Sequence, residues 1–285
     1  MDKAKILISM GLVGTIGIFV NYIPLPSAVI ACTRAIVGSL FLLAAMAVTK
    51  TKLEKENIQK NALLLLASGT VLGLNWVFLF EAYRYTTVAV ATLCYYMAPV
   101  FVMLVSPVLL KEKMTAKKVI CTLGAVAGAV LISGALGGTI SNPMGITFGL
   151  IAACFYCSVM ILNRKIKGLT GMERTFCQLA VAAVVMSVYV FATTDIGALT
   201  FSTGTIILLL VVGVVHTGIV YLLYFPALGN LPAQTSAVLS YIDPVVAIIL
   251  SAFILAQPLE IHQIIGTIFI LGFTLMNEIE LKNVL

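Results

Sequence analysis

The sequence predicts an all-α integral membrane protein with ten transmembrane helices, arranged as two inverted five-helix repeats. Three observations predict this fold: the composition, the spacing of the apolar segments, and a motif that recurs 145 residues later in a different charge context. Of the 285 residues, 61% are hydrophobic and only 10% are charged, whereas soluble domains carry about a quarter charged residues. Lipid must therefore surround most of the surface. The net charge of +6 does not indicate nucleic-acid binding, because the basic residues form no stripe.

Ten apolar segments are separated by charges, prolines or polar clusters. A helix needs about 20 residues to cross the hydrocarbon core, and the segments are close to that length. The first is expected to remain as an uncleaved span, because no convincing small-residue cleavage site follows it. The weakest separations are 81–86 and 226–231, where the loops are very short. The segments are residues 4–21, 27–49, 60–80, 87–110, 116–134, 144–165, 174–193, 203–225, 231–255 and 261–279.

The distribution of lysine and arginine predicts the orientation of these spans. With the N-terminus in the cytoplasm, fifteen of the seventeen basic residues fall on the cytoplasmic side. Only Arg84 falls outside, and Arg34 lies within the second span. Cytoplasmic loops are enriched in basic residues, so the sequence predicts a multi-pass protein of the cytoplasmic membrane with both termini in the cytoplasm.

A repeated Tyr-x-x-Pro motif divides the chain into two halves. It occurs as Tyr96 to Pro99 and again as Tyr241 to Pro244, and an ungapped comparison around it gives ten identities in 53 positions. Lysines follow the first copy but not the second. With five spans per half, the second half must enter the membrane from the opposite face. The predicted repeats are residues 1–138 and 139–285, an arrangement common in secondary transporters.

The motifs resemble the EamA family of the drug/metabolite transporter superfamily. The resemblance covers nearly the whole chain and implies a ten-helix transporter that moves small organic metabolites by alternating access. It also implies a central cavity lined mainly by the first, third, fourth, sixth, eighth and ninth helices. The residues that carry it are Leu25-Pro26 with Arg34, Ala82, 86–89, 98–100 and 110–113 in the first half, and Arg164-Lys165, 213–218, Tyr221 and 241–247 in the second.

Two departures from the family pattern bear on mechanism. Gln257-Pro258 stands where the second repeat of the family usually has an acidic residue. The first span has no carboxylate between Ile6 and Val20, whereas the small multidrug-resistance relatives carry a glutamate there. Drug–proton antiport of that type is therefore not expected.

Three ionisable residues inside the predicted spans are candidates for coupling or charge recognition, because such residues are costly in a membrane. Asp243 precedes Pro244, whose ring disturbs the helix; it either binds a cation, proton or substrate amine, or pairs with a helix end or with Arg34 to fix the fold. His216 is either a proton switch or a neutral hydrogen-bonding group between helices. Arg34 either attracts a substrate carboxylate, neutralises a buried acid, or extends its charged end toward the membrane surface.

Aromatic and amide residues within the spans predict a small-molecule pocket. Tyr96 and Tyr241 each lie three residues before a proline, on the face of the expected helix break at Pro99 or Pro244. Such pockets are mainly apolar with a few polar groups. The alternative is that tyrosines mark the lipid–water interface, which suits Tyr22, Tyr83, Tyr85 and Tyr224 better. The predicted substrate-binding residues are Asn75, Trp76, Tyr96, Tyr221 and Tyr241.

The function predicted from the sequence is secondary active or exchange transport of amino acids or related compounds, with export as the expected direction. A lipid scramblase or a membrane-embedded lipid enzyme is the alternative. We expect no enzymatic activity, no cofactor, no metal and no nucleic-acid partner. The expected partners are a small-molecule substrate and membrane lipid, and the expected state is a monomer or weak homodimer. Glycines at 11, 14, 17, 124 and 128 are interpreted as helix-packing positions.

Overall fold

A computed structural model describes residues 1–51, 53–109, 115–133, 142–231, 236, 239–257 and 259–278. Throughout these residues the regular structure is helical, and none of them forms a β-strand. The predicted boundary between residues 138 and 139 lies outside the described residues, as does Pro258.

The described helices follow the order of the predicted apolar segments. A π-helical turn, Val214–Ile219, joins α10 to α11, and a single 3₁₀ turn, Ile196–Ala198, precedes α10. The α-helices are α1 (Asp2–Asn21), α2 (Ser27–Val48), α3 (Lys55–Lys60), α4 (Ala62–Tyr85), α5 (Val88–Tyr95), α6 (Ala98–Leu109), α7 (Ala116–Ile132), α8 (Pro143–Lys165), α9 (Gly171–Thr193), α10 (Thr203–Gly213), α11 (Val220–Gly229), α12 (Ile242–Phe253) and α13 (Ile261–Glu278).

Several helical stretches are long and apolar enough to cross a membrane, so the chain is a multi-pass membrane protein. In the described part of the chain, seven stretches meet both conditions, and α12 and α13 are apolar but shorter. The count of ten spans therefore remains a prediction. The seven stretches are Asp2–Asn21, Ser27–Val48, Ala62–Tyr85, Val88–Leu109, Pro143–Lys165, Gly171–Thr193 and Thr203–Ala227.

Two helix ends differ from the sequence-based boundaries, and local chemistry explains both. The third predicted span continues to Tyr85, and Thr87 then begins α5 by accepting a hydrogen bond from the Val90 amide (3.2 Å). Pro226 lies inside α11 rather than in a loop. A proline removes one backbone donor, but the helix can continue when its neighbours hold it in place.

The two Tyr-x-x-Pro motifs occupy equivalent backbone positions. Tyr96 follows α5 with φ −70° and ψ 1°, and Tyr241 precedes α12 with φ −70° and ψ −4°. Because proline has no amide hydrogen, Pro99 cannot donate to the carbonyl four residues before it. The fourth predicted span is accordingly divided into α5 and α6, with a turn at residues 96–97.

Close helix contacts hold the site-bearing elements together. The backbone of α1 approaches α12 so tightly that a Cβ at Gly14 would lie 2.5 Å from the Asp243 carbonyl oxygen and 2.8 Å from Val246 Cβ. A Cβ at Gly128 would lie 2.8 Å from the Gly266 carbonyl oxygen, where α7 packs on α13. Gly11 was interpreted as a packing position, but a Cβ there would meet open space.

Side chains of α12 and of the segment after it cap the first turn of α5. The Gln257 amide oxygen accepts from the Val88 amide (3.2 Å) and from the Ser251 hydroxyl (2.9 Å), and Ser251 Oγ accepts from the Ala89 amide (3.3 Å). The first amides of a helix have no intrahelical acceptor. Gln257, the departure from the family's acidic residue, therefore satisfies this helix end without a charge.

At the end of the bundle that holds the N-terminus, called the lysine-rich end, α3 is tied to the α8–α9 loop. Asn57 donates to the Gly168 carbonyl (2.9 Å) and Asn61 donates to the Lys167 carbonyl (2.9 Å). Glu173 accepts from the Glu54 amide (3.0 Å) and completes a capping box at the start of α9. These bonds connect the predicted first half to the second.

We expect Gly14→Ala to destabilise the protein by about 1–3 kcal/mol, the usual cost of overpacking. The added methyl group would collide with the Asp243 carbonyl and Val246, and the backbone carbonyl cannot rotate away. Thermal unfolding in detergent measures the effect. Gly11→Ala, on the same helix but in open space, is the control and should keep or slightly raise the wild-type midpoint. Equal effects of the two substitutions would contradict the α1–α12 contact.

Candidate functional site

Asp243 and Tyr96 form a hydrogen bond at the centre of the two motifs. Tyr96 donates its hydroxyl to Asp243 Oδ2 at 2.7 Å, and the rings of Tyr96 and Tyr241 lie 6.1 Å apart. Asp243 lies in the first turn of α12, where the helix dipole favours negative charge. The helix break therefore places a carboxylate beside a phenolic donor inside the protein.

Arg34 is the cationic residue of the site and is 6% exposed. Its Nε donates to Thr217 Oγ1 at 2.9 Å, and its guanidinium carbon lies 4.0 Å from the centroid of the Trp76 ring. Phe80 is farther away, at 5.9 Å. One edge and one face of the guanidinium are thus occupied by protein groups, and the cation–π contact partly offsets its desolvation.

Several tyrosines and Asp243 surround an internal space. Arg34 interacts electrostatically with Asp243, and Tyr96 and Tyr156 are electrostatic neighbours of Asp243 as well. Although these groups lie deep among protein atoms, the two tyrosines and Asp243 are only partly covered. We interpret the uncovered parts of these side chains as the lining of a space between the helices, called the cavity. Its partly covered members are Tyr95, Tyr96, Tyr156, Tyr221 and Asp243.

Arg34 and Asp243 are not paired with each other. In the described part of the chain, Arg34 takes part in no ion pair, and the polar partner of Asp243 is Tyr96. The two opposite charges attract across the cavity while each remains held by neutral groups. The interpretation that Asp243 and Arg34 form a structural ion pair therefore has no contact to support it.

His216 connects the π-helical turn to α1. Its Nε2 lies 2.7 Å from Thr15 Oγ1, its Nδ1 lies 3.3 Å from the Val211 carbonyl oxygen, and Phe19 packs edge-on at 4.9 Å. Thr15 Oγ1 also lies 2.8 Å from the Leu12 carbonyl oxygen. The single hydroxyl hydrogen of Thr15 cannot serve both that carbonyl and the imidazole. The direction of the bond therefore depends on whether Nε2 carries a proton.

The π-helical turn also positions Thr217. Its hydroxyl donates to the Val212 carbonyl (3.2 Å), five residues earlier, and accepts from Arg34. Glycines on either side let α2 approach closely, because a Cβ at Gly213 or Gly218 would collide with the side chain of Val37 or Phe41. Such turns are often found at functional sites. Here one turn supplies partners to both Arg34 and Thr15.

The structure does not bring all the predicted residues to the cavity. Trp76 lies under Arg34, and Tyr96, Tyr221 and Tyr241 lie around or next to the cavity. Asn75 instead donates to the Ala152 carbonyl of α8 at 2.7 Å, is fully buried, and has an enclosed Oδ1 without a partner in the described residues. Adjacent residues on a helix point in different directions, which separates Asn75 from its neighbour Trp76.

Three tyrosines of this region were not among the predicted site residues. Tyr83 was interpreted as an interface residue, but it is 6% exposed and is an electrostatic neighbour of Arg34 and Asp243. It follows Trp76 by seven residues on the same helix face, a spacing visible in the sequence. Tyr95 and Tyr156 stack at 5.1 Å. Nothing in their local sequence indicates that α5 and α8 meet.

A cleft of about 440 Å³ opens at the end of the bundle opposite the lysine-rich end. It is formed by the α1–α2 loop and the last turns of α4, including Phe80, Tyr83 and Arg84. Phe80 and Tyr83 also neighbour Arg34. These two aromatic residues therefore separate the cleft from the guanidinium.

Comparison with known proteins identifies the family. The model of the EamA-like transporter family matches residues 4–134 and again residues 143–277. The chain belongs to this family. The family assignment agrees with the resemblance carried by the sequence motifs and identifies the protein as a transporter-type membrane protein.

Relatives of this EamA-family chain carry transporter names. An uncharacterized transporter of Bacillus subtilis (strain 168) is 32% identical over 93% of this chain and 86% of its own length. An uncharacterized transporter of Archaeoglobus fulgidus is 26% identical over 96% of this chain and 95% of its own length. One solved crystal structure superposes with a TM-score of 0.66 over 96% of both chains at 17% identity, which shows a shared fold.

We expect Tyr96→Phe to lower stability by about 1–3 kcal/mol, because it leaves the interior carboxylate of Asp243 without its hydroxyl donor. Thermal unfolding in detergent at neutral pH measures this loss. Tyr95→Phe is the matched control, since Tyr95 stacks on Tyr156 through its ring and its hydroxyl donates no hydrogen bond within the described residues. A wild-type midpoint for Tyr96→Phe would show that Asp243 does not depend on this bond.

Proposed function

We propose that this protein is a secondary active or exchange transporter that moves small organic metabolites across the cytoplasmic membrane by alternating access. The observation that carries the proposal is the pair of opposite charges inside the bundle: Asp243 is bound by Tyr96 and Arg34 by Thr217, and the two charges interact electrostatically without forming an ion pair. Ionisable groups within a membrane protein typically mark substrate or ion pathways. Amino acids or related compounds are the proposed substrates, and export is the proposed direction.

The proposed architecture is ten spans in two inverted repeats, residues 1–138 and 139–285. The helix contacts support it. The α4–α8 contact has its counterpart in α11–α1, and the α1–α12 contact has its counterpart in α8–α6. If each helix is replaced by its equivalent in the other half, the first contact of each pair becomes the second. The family model, which matches once in each half, is further support.

The proposed orientation places both termini and the lysine-rich end in the cytoplasm, in line with the asymmetry of basic residues. The cleft at Phe80 and Tyr83 then faces the outside. In this proposal the substrate passes between the cavity and that cleft when the two aromatic side chains move apart. In the same proposal, the bonds between α3 and the α8–α9 loop help to keep the cytoplasmic end closed.

The proposed roles follow the contacts. Trp76, Tyr96, Tyr221 and Tyr241 form the aromatic walls of the binding site, and Asp243 binds a proton, cation or substrate amine. His216 is the second coupling candidate, because its bond to Thr15 changes direction with its protonation. Asn75 acts indirectly, by joining α4 to α8.

We expect Asp243→Asn to abolish coupled or exchange transport while the protein still folds, because the amide keeps the shape of the side chain but loses its charge. The test reconstitutes the purified protein in liposomes and follows a panel of labelled amino acids and related metabolites. Asp195→Asn, an exposed residue after α9, is the control and should transport like wild type.

The same liposomes distinguish transport from the alternatives. A lipid scramblase would retain its activity in Asp243→Asn, since it does not need a carboxylate at this position. If the wild-type protein, folded and inserted in both orientations, transports no member of the panel, the proposed function is wrong. Vesicles of known orientation decide whether export is the physiological direction.

We expect His216→Gln to flatten the pH dependence of transport between about pH 4 and 8, a range that includes the one in which histidine normally changes charge. Glutamine can still hydrogen-bond to Thr15 but cannot gain a proton. Initial transport rates measured across this range give the result. His262→Gln is the control, because His262 lies beside Glu260 on α13, away from the cavity. An unchanged pH profile in His216→Gln would exclude His216 from coupling.

A further inference from the structure

The guanidinium of Arg34 lacks an anionic partner. It is 6% exposed, and within the described residues no carboxylate lies within ion-pair distance of it. Removing a charge from water is costly unless a counter-ion or several hydrogen bonds replace the water. Thr217 and Trp76 replace the lost water around the guanidinium only in part. An anion that completes this environment is therefore favoured at Arg34.

The free edge of the guanidinium is the one that suits a carboxylate. Nε is occupied by Thr217, and one face is occupied by Trp76, but Nη1 and Nη2 have no acceptor among the described residues. Neither nitrogen is among the fully enclosed polar atoms that lack a hydrogen-bond partner. Both nitrogens therefore border open space. Two parallel N–H donors match the two oxygens of a carboxylate.

The other side of the cavity presents complementary chemistry. Asp243 and Tyr96 offer acceptor oxygens for an ammonium group, and Tyr156 and Tyr221 are aromatic neighbours of Asp243 and Arg34, respectively. A ligand with a carboxylate at one end and an ammonium at the other would neutralise both buried charges. Neither a simple amine nor a simple acid would do so.

We propose that the Nη1 and Nη2 atoms of Arg34 bind the carboxylate of the transported metabolite, while Asp243 and Tyr96 bind its ammonium group. Thr217 is the positioning residue, because its bond to Nε fixes the rotation of the guanidinium. The assignment rests on the proposed transport function and adds to it the residues that recognise the two charged groups of an amino acid and the orientation of the substrate in the site.

The test measures ligand binding to the purified protein in detergent by thermal shift and by titration calorimetry. The probes are leucine, phenylalanine and threonine, each with its decarboxylated amine and its deaminated acid; phosphate and chloride test for a general anion site. Wild type should bind at least one amino acid at least about tenfold more tightly than either of its truncated analogues, because charge-assisted hydrogen bonds are lost with each group. Equal or tighter binding of the amine, of phosphate or of chloride would overturn the carboxylate assignment.

Two substitutions at Arg34 test the residue itself. Arg34→Lys keeps the charge but loses the pair of parallel donors, so amino-acid binding should weaken by about tenfold or more, with binding of the corresponding amine unchanged. Arg34→Gln should weaken it further. Arg174→Lys, a partly buried arginine at the lysine-rich end, is the matched control. If Arg34→Lys binds amino acids as wild type does, Arg34 is a structural residue and the proposal is wrong.

Thr217→Val keeps the experiment informative if Arg34→Gln does not fold. It removes the acceptor of Nε and leaves the guanidinium in place, so it should weaken binding of the amino acid more than binding of its amine. An equal effect on both ligands would show a purely structural role. Transport of amines or other metabolites without any carboxylate preference would refute this inference and leave the proposed transport function standing. Absence of transport of the whole panel would refute the function itself.

Discussion

The constraint on which the rest of this structure depends is the presence of two opposite, unpaired charges inside a membrane protein. Lipid can solvate neither Arg34 nor Asp243, so protein groups have to do it. Each charge has one hydroxyl partner, Thr217 for the guanidinium and Tyr96 for the carboxylate. A direct ion pair would satisfy both charges at once and close the cavity. Because the two are held apart, the space between them stays polar at its ends and aromatic along its walls.

Irregular backbone is what makes this separation possible. The turn at Tyr96, the start of α12 after Tyr241 and the π-helical turn Val214–Ile219 all lie at the cavity. Inside a membrane, non-helical backbone is tolerated where protein or an internal space surrounds it. The broken helices and the site are therefore one feature, because the interrupted helices carry Tyr96, Asp243 and Thr217, whose side chains form the polar contacts of the site.

The sequence predicted the parts of this arrangement that depend on local chemistry. Proline defines the breaks next to Tyr96 and Tyr241, and a carboxylate before Pro244 is conspicuous in an apolar segment. The parts that depend on tertiary contact were not predictable. Tyr156 reaches the cavity only because α8 packs against α5, and no pattern in the local sequence predicts that contact. The sequence left the role of Arg34 open between a structural and a binding function, because the answer depends on whether its Nη atoms have an acceptor.

The polar contacts around the cavity share a property that bears on how the protein moves. Arg34 to Thr217, Tyr96 to Asp243 and Thr15 to His216 each join a residue of the first half to a residue of the second. Relative motion of the halves must therefore break these bonds or carry them along as rigid pairs. In the proposed transport cycle, a substrate that neutralises Arg34 and Asp243 would lower the cost of the rearrangement, whereas in the empty site both charges would stay without a counter-ion. In the first Tyr-x-x-Pro motif, the position that matches Asp243 is Ala98, which is buried and uncharged. The first motif therefore contributes no charge to the site. In the proposed mechanism, two related halves form a frame around an asymmetric site, and binding of the substrate to that site would control the motion.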